Sequence, residues 1–418
     1  MERARYRQSD LRRMVLGVRA IPSLFIALTS YKLLAVLLFM ETFLLPGTFD
    51  VGGLAFPACT LLFLACALVC LAFAILFRRL TFHDRGWYLG LLTACLLLGL
   101  FLLLLRELGG IGNTALAAAC RGLGIALVAM GLIGAHIEEA RIMGALGMTQ
   151  TLTFGVSAAF AASLLYLALT LLPMPQGRWA AAFVLPLVFA ASFWRAQQEV
   201  YRSPRTRYEE PEAKVLVPYR FIATSVAQGI AAGLLVALAC AGGQFSPAWN
   251  VAGYLLAAVL TLATMLVCKL DFNRSVYQIG FPLGAPGAVM QVTGFLYLDL
   301  VLWGLGSYLI KNCRQPATWV AACPTTSLMA GRTLGAVLGA ALLQLLPAGF
   351  GWNTLLCAAA FCFVMAALLL SNAANLRTGW GFVRPGGPDD GANAHRACQI
   401  VAEDFSLTQR EFEVLRRI

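Results

Sequence analysis

The sequence predicts an all-α membrane protein: twelve transmembrane helices in two sets of six, then a polar linker and the start of one further helix. Three observations carry this. First, 60% of the 418 residues are hydrophobic and only 12% are charged, about half the roughly 25% charge of a soluble domain. Mean hydropathy is +0.78, which excludes both a water-soluble globular enzyme and a disordered chain. Second, the apolar residues fall into runs of bilayer length, with the charges between them. Third, the net charge of +11 comes from 31 Lys and Arg against 20 Asp and Glu. In a membrane chain that excess is an orientation signal, because Lys and Arg collect in cytoplasmic loops.

A helix crosses a bilayer in about 20 apolar residues. Residues 1–20 form a basic N-terminal segment with Arg3, Arg5, Arg7, Arg12, Arg13 and Arg19. Six candidate spans follow within 21–194, at 21–40, 54–77, 87–105, 114–134, 151–172 and 179–194. The stretch 195–220 carries Arg195, Arg202, Arg205, Arg207, Lys214 and Arg220 beside several glutamates, and reads as a solvated central loop. The second set occupies 221–371, with clear spans at 221–241, 248–268, 289–310, 324–346 and 352–371. These eleven crossings would leave Lys311, Arg314 and the basic residues of the tail outside, against the charge rule. One more crossing at 276–288, VYQIGFPLGAPGA, restores agreement. It is short and broken by Pro282 and Pro286, as spans can be where protein or a water-filled cavity covers the loose backbone. Twelve crossings and two cytoplasmic termini result. The first run holds Lys32, follows a long basic segment and lacks a small-residue cleavage site, so it reads as a retained anchor rather than a signal peptide.

The twelve cysteines form no CxxC pair and no Cys/His cluster. They read as small buried hydrophobes, and neither a metal site nor a cofactor is expected. No Ser/His/Asp or Cys/His constellation suggests an enzyme. Four ionisable residues stand at bilayer depth: Lys32, Arg121, Asp299 and Arg332. Such residues usually face a cavity or a partner. An unpaired carboxylate at Asp299 would neutralise rather than stay charged, so pairing with Arg332 is expected. That pair is either part of a ligand site or a structural tie between helices. Lys32 is expected to snorkel toward an interface on its long stem. Glu138 and Glu139 read as a solvated inner loop, and His83, His136 near a helix end and His395 as ordinary polar positions. Gly331, Gly335 and Gly339 make two overlapping GxxxG steps, expected to pack inside the bundle rather than to dimerise it.

Composition changes after Ser371. Residues 372–393 contain RPGGPDDGAN and read as a flexible linker. In 394–418, Thr408 and Glu411 form a capping box, and Leu407 and Phe412 occupy the staple positions around it. Phe412, Leu415 and Ile418 then continue along one helix face.

Two resemblances follow. Two sets of six helices around a charged loop resemble the major facilitator superfamily of transporters, over roughly the first 370 residues. Asp84, Arg85 and Gly86 in RRLTFHDRG partly match that family's loop between helices two and three. In the tail, Leu407, Thr408, Arg410, Glu411, Glu413, Val414 and Leu415 match the opening of a LuxR-type helix-turn-helix domain, L-T-x-R-E-x-E-V-L. Together they resemble bacterial membrane-bound regulators that join a transporter-like twelve-helix region to a LuxR-type domain. The resemblance implies a transcription regulator in the bacterial cell membrane. Its bundle would sense an unknown small-molecule ligand or a membrane state; helix-turn-helix proteins usually act on DNA as dimers, which leaves a homodimer open. The chain stops at Ile418, before any recognition helix, so the domain is expected to be truncated and DNA contact to fall to residues absent here. The alternative is a plain major-facilitator-type secondary transporter of a small solute.

Overall fold

In the computed structural model the described residues are 15–39, 44–45, 48–51, 53–76, 86–105, 114–173, 176–201, 219–242, 247–267, 279–280, 288–312 and 315–345. All of them lie in the first of two compact units, Met1–Leu370. Ten helices are described: α1 (Pro22–Phe39), α2 (Cys59–Leu76), α3 (Gly86–Leu104), α4 (Thr114–Leu146), α5 (Met148–Thr170), α6 (Gln176–Tyr201), α7 (Tyr219–Gly242), α8 (Pro247–Val267), α9 (Ala288–Asn312) and α10 (Ala317–Leu345). Among the described residues nine are long and apolar enough to cross a membrane, and α8 carries a shorter apolar run, Val251–Met265. This is a multi-pass membrane region whose candidate spans are helices. Of the expected crossing at 276–288 only 279–280 and 288 are described, and the one at 352–371 lies outside the described residues. So do Asp84, Arg85, the linker at 372–393 and the helix start with Leu407, Thr408, Arg410, Glu411, Glu413, Val414 and Leu415.

These helices are apolar on both faces, which marks them as solvated by lipid. On α2, Leu62, Phe63, Cys66 and Cys70 are buried, while Leu64, Leu68, Leu71 and Ile75 form an exposed stripe at helical spacing. In water such a stripe would be an association surface; in a bilayer it is ordinary. The interior beneath α1, α5 and α6 is built from Leu24, Leu28, Phe154, Phe189 and Phe193. The helices before and after the central loop pack across a common interface, α2 on α10, α5 on α8, and α4 on both α9 and α10.

Three elements differ from the hydropathy reading. The run at 54–77 is not all helix: Leu54–Pro57 pairs antiparallel with Thr48–Val51 as a hairpin, β2 with β1, in the register Val51↔Leu54 to Thr48↔Pro57. Gly53 takes φ +83° at its turn, a conformation only glycine adopts without strain, and its N–H donates to Asp50 Oδ1 at 2.9 Å. Second, α4 does not end near Gly134 but runs 33 residues to Leu146, about 50 Å at 1.5 Å per residue. Third, α10 begins at Ala317, so Pro324 lies inside it rather than at its start.

The GxxxG expectation is answered at the contact of α10 with α7. A Cβ on Gly331 would sit 2.6 Å from the Val226 carbonyl oxygen, and one on Gly335 would overlap the Ile230 carbonyl. The facing helix is just as bare: a Cβ on Gly229 or Gly233 would strike the backbone of Leu328 or Arg332. Small residues on both sides let two backbones touch, the membrane substitute for hydrophobic packing. Gly335→Ala should therefore cost about 1–3 kcal/mol, read as a lower unfolding temperature in detergent. Gly122→Ala, whose Cβ meets nothing within 4 Å, should be neutral or stabilise by up to about 1 kcal/mol.

Candidate functional site

The extension of α4 creates the site. Beyond Gly134 the helix continues through His136, Glu138, Glu139 and Arg141, although the two glutamates were expected in a solvated loop. Instead Glu138 is 2% exposed, Glu139 0% and Arg141 7%. Neighbouring helices, not lipid, cover them. Arg141 donates to Glu138 Oε1 at 3.1 Å and to the Thr318 hydroxyl of α10 at 2.7 Å. His136 Nε2 and the Thr325 hydroxyl, also on α10, are hydrogen-bonded at 3.1 Å.

At the α4–α5 junction the tie to α9 is as dense. Gly147, at φ +92°, turns the chain, and Lys311 Nζ donates to the Leu146 carbonyl at 2.9 Å. A cation there suits the negative end of a helix dipole. Ser307 donates to the Met143 carbonyl at 2.7 Å, and Thr151 donates to Ser307 at 2.8 Å. Helices from before and after the central loop are thus locked together at this end by polar contacts.

Next to this lock lies a cavity of about 190 Å³ whose lining includes Tyr31, Lys32, His136, Glu139, Gln228, Asp299, Trp303 and Arg332. It is walled by α1 and α4 on one side and by α7, α8, α9 and α10 on the other. Three of the four sequence-predicted residues meet in it: Lys32, Asp299 and Arg332. Arg121 does not; it is half-buried on α4 and absent from that lining.

The expected pairing is replaced by a looser arrangement. Among the described residues no ion pair within 4 Å joins Asp299 to Arg332. Asp299 Oδ1 accepts a hydrogen bond from Gln228 Nε2 at 2.6 Å, and the same amide donates to the Phe295 carbonyl at 3.1 Å. The Arg332 guanidinium lies over the rings of Phe39 and Phe63, 5.7 Å from each, with no hydrogen-bond partner for Nε. Lys32 does not snorkel to an interface: its Nζ sits 4.8 Å from the Trp303 ring centre, a cation–π contact. Glu139, which the sequence placed in a loop, has both carboxylate oxygens buried without a hydrogen-bond partner. The signal for it was present: His136, Glu139 and Met143 fall at helical spacing on one face of an apolar run that resumes at Ile142. Among the described residues, no group of three His, Cys, Asp or Glu side chains could hold a metal ion.

Comparison with solved structures decides the fold. A bacterial homologue of the iron transporter ferroportin, in an outward-facing state with soaked iron, superposes with a TM-score of 0.60 at 14% identity, covering 88% of this chain and 99% of that one. FucP, a Major Facilitator Superfamily transporter in the outward conformation, superposes with a TM-score of 0.53 at 13% identity, covering 86% and 100%. The membrane region has the major facilitator fold. No protein-family model and no curated protein matches the chain.

This overturns the leading expectation of a LuxR-type, DNA-binding transcription regulator, because the matching folds are those of transporters. The physical reason for the misreading is that a capping box followed by a staple is what helix starts require in general. Of the seven matching positions, Leu407, Thr408 and Glu411 belong to that box and staple, so part of the match is helix-start chemistry.

Proposed function

We propose that this chain is a major-facilitator-type secondary transporter of a small organic solute, with twelve crossings and both termini cytoplasmic. One observation carries the reading: charged side chains from both sides of the interface, Lys32 and Glu139 before the central loop and Asp299 and Arg332 after it, face a single cavity. Intramembrane ionisable groups around a midplane cavity mark a solute path. The charge rule puts the lock at the α4–α5 junction on the cytoplasmic side. A bundle tied at that end is suited to receive solute from the opposite one. The two carboxylates of the cavity are offset by Lys32 and Arg332, which leaves no net negative charge for a bare metal cation, so the iron of the ferroportin homologue is not carried over. The test is flux. Proteoliposomes holding the full chain should show counterflow of at least one class among labelled amino acids, sugars and carboxylates. Asp299→Leu should remove it. Saturable binding without flux of any class would overturn the proposal.

A further inference from the structure

The cavity contains buried polar groups that the protein itself leaves unanswered, and their chemistry specifies what a solute must bring. Glu139 has two acceptor oxygens and no donor for either. Arg332, 7% exposed, has an Nε donor with no acceptor and, among the described residues, no carboxylate within 4 Å. A buried donor or acceptor left unmade is costly, and a charged one more so. The other two charges are already engaged, Asp299 by Gln228 at 2.6 Å and Lys32 by the face of Trp303.

The four charged side chains sum to zero when ionised, so a solute with a net charge would unbalance a low-dielectric site. A solute carrying one cation and one anion would not. The cavity, about 190 Å³, is smaller than the roughly 300–1,000 Å³ of drug-sized pockets, and Tyr31 and Trp303 give it aromatic walls.

Resting on the transporter reading, we infer that the substrate is a small zwitterion, an amino-acid-like molecule whose ammonium donates to Glu139 and whose carboxylate accepts from Arg332, with an apolar body beside Trp303. Neutral polyols could also supply a donor and an acceptor. The charged form is favoured because charge-assisted hydrogen bonds are about twice as strong as neutral ones.

A matched probe set tests this on the purified full chain: phenylalanine, phenethylamine, 3-phenylpropanoate and 3-phenylpropan-1-ol, each titrated by ligand-induced thermal stabilisation. Phenylalanine is expected to bind at least about tenfold tighter than each analogue, the size of one charge-assisted contact. Glu139→Gln should erase its advantage over the propanoate, and Arg332→Gln its advantage over the amine. The inference is overturned if the acid, the amine or the alcohol binds as well as phenylalanine, or if none of the four binds. The wild-type titration decides these outcomes even if a variant fails to fold. Flux separates the two readings. Selective zwitterion binding without counterflow sinks the transporter and leaves the ligand class standing. Counterflow of a solute lacking either charge sinks the ligand class and leaves the transporter.

Discussion

Arg141→Met is expected to lower the stability of the bundle by about 3–5 kcal/mol, the cost of breaking a buried pair by removing one partner. The guanidinium and the Glu138 carboxylate are 6% and 2% exposed and 3.1 Å apart, so the lost attraction is not replaced by water. Methionine keeps much of the apolar stem but none of the donors, and the 2.7 Å contact to Thr318 on α10 disappears with the charge. Adding Glu138→Gln should return most of the loss, since the buried charge that made the single variant costly is gone. The measurement is unfolding of wild type, both single variants and the double variant in one detergent. A loss below about 1 kcal/mol, the value of an exposed pair, would show that the contact is solvated and not a lock. Spin labels on α4 and α10 supply an independent reading. The distance distribution at the α4–α5 end should broaden in Arg141→Met, because a side-chain tie between those two helices has been cut.

How much of this was legible in the sequence depends on what each feature required. Apolar length sufficed for ten helices, because a bilayer demands a run of that length and little else satisfies it. It failed where a charge cluster imitates a loop. HIEEAR looks like an exit from the membrane when hydropathy is averaged over a window, yet Glu138 and Arg141 are spaced i, i+3 and neutralise one another on the helix. Burial of that pair also depends on Thr318, 177 positions away, which no local pattern encodes. The hairpin at β1–β2 failed differently: Leu54–Pro57 is apolar enough to join the next span, and the paired glycines before it, an ordinary turn signal, carried less weight than the hydropathy. The cavity was half visible. Sequence located Lys32, Asp299 and Arg332 at membrane depth, but depth is not distance. It could not show that Gln228 would take the contact expected of Arg332, or that aromatic rings would hold both cations.

Adjacent glutamates offer the sharpest separation of structural from functional burial. Glu139→Met is expected to raise stability by about 1–3 kcal/mol, the penalty of a buried polar group left without partners, while abolishing solute flux. Its two oxygens accept nothing in the protein, the residue is fully buried, and methionine fills a similar volume with no group to satisfy. Lys32 is not stranded by the change, since it keeps the Trp303 ring at 4.8 Å. One position earlier the sign reverses: Glu138→Met should destabilise, because there the carboxylate answers Arg141. A residue retained for packing lowers stability when removed, whereas one retained for a ligand costs stability while it waits for that ligand. Unfolding temperatures of the two variants, measured without solute and beside their counterflow rates, distinguish the cases. If Glu139→Met unfolds earlier than wild type, Glu139 has a structural partner and its place in the solute site falls. If it unfolds later and still transports at the wild-type rate, the carboxylate is not what the solute meets.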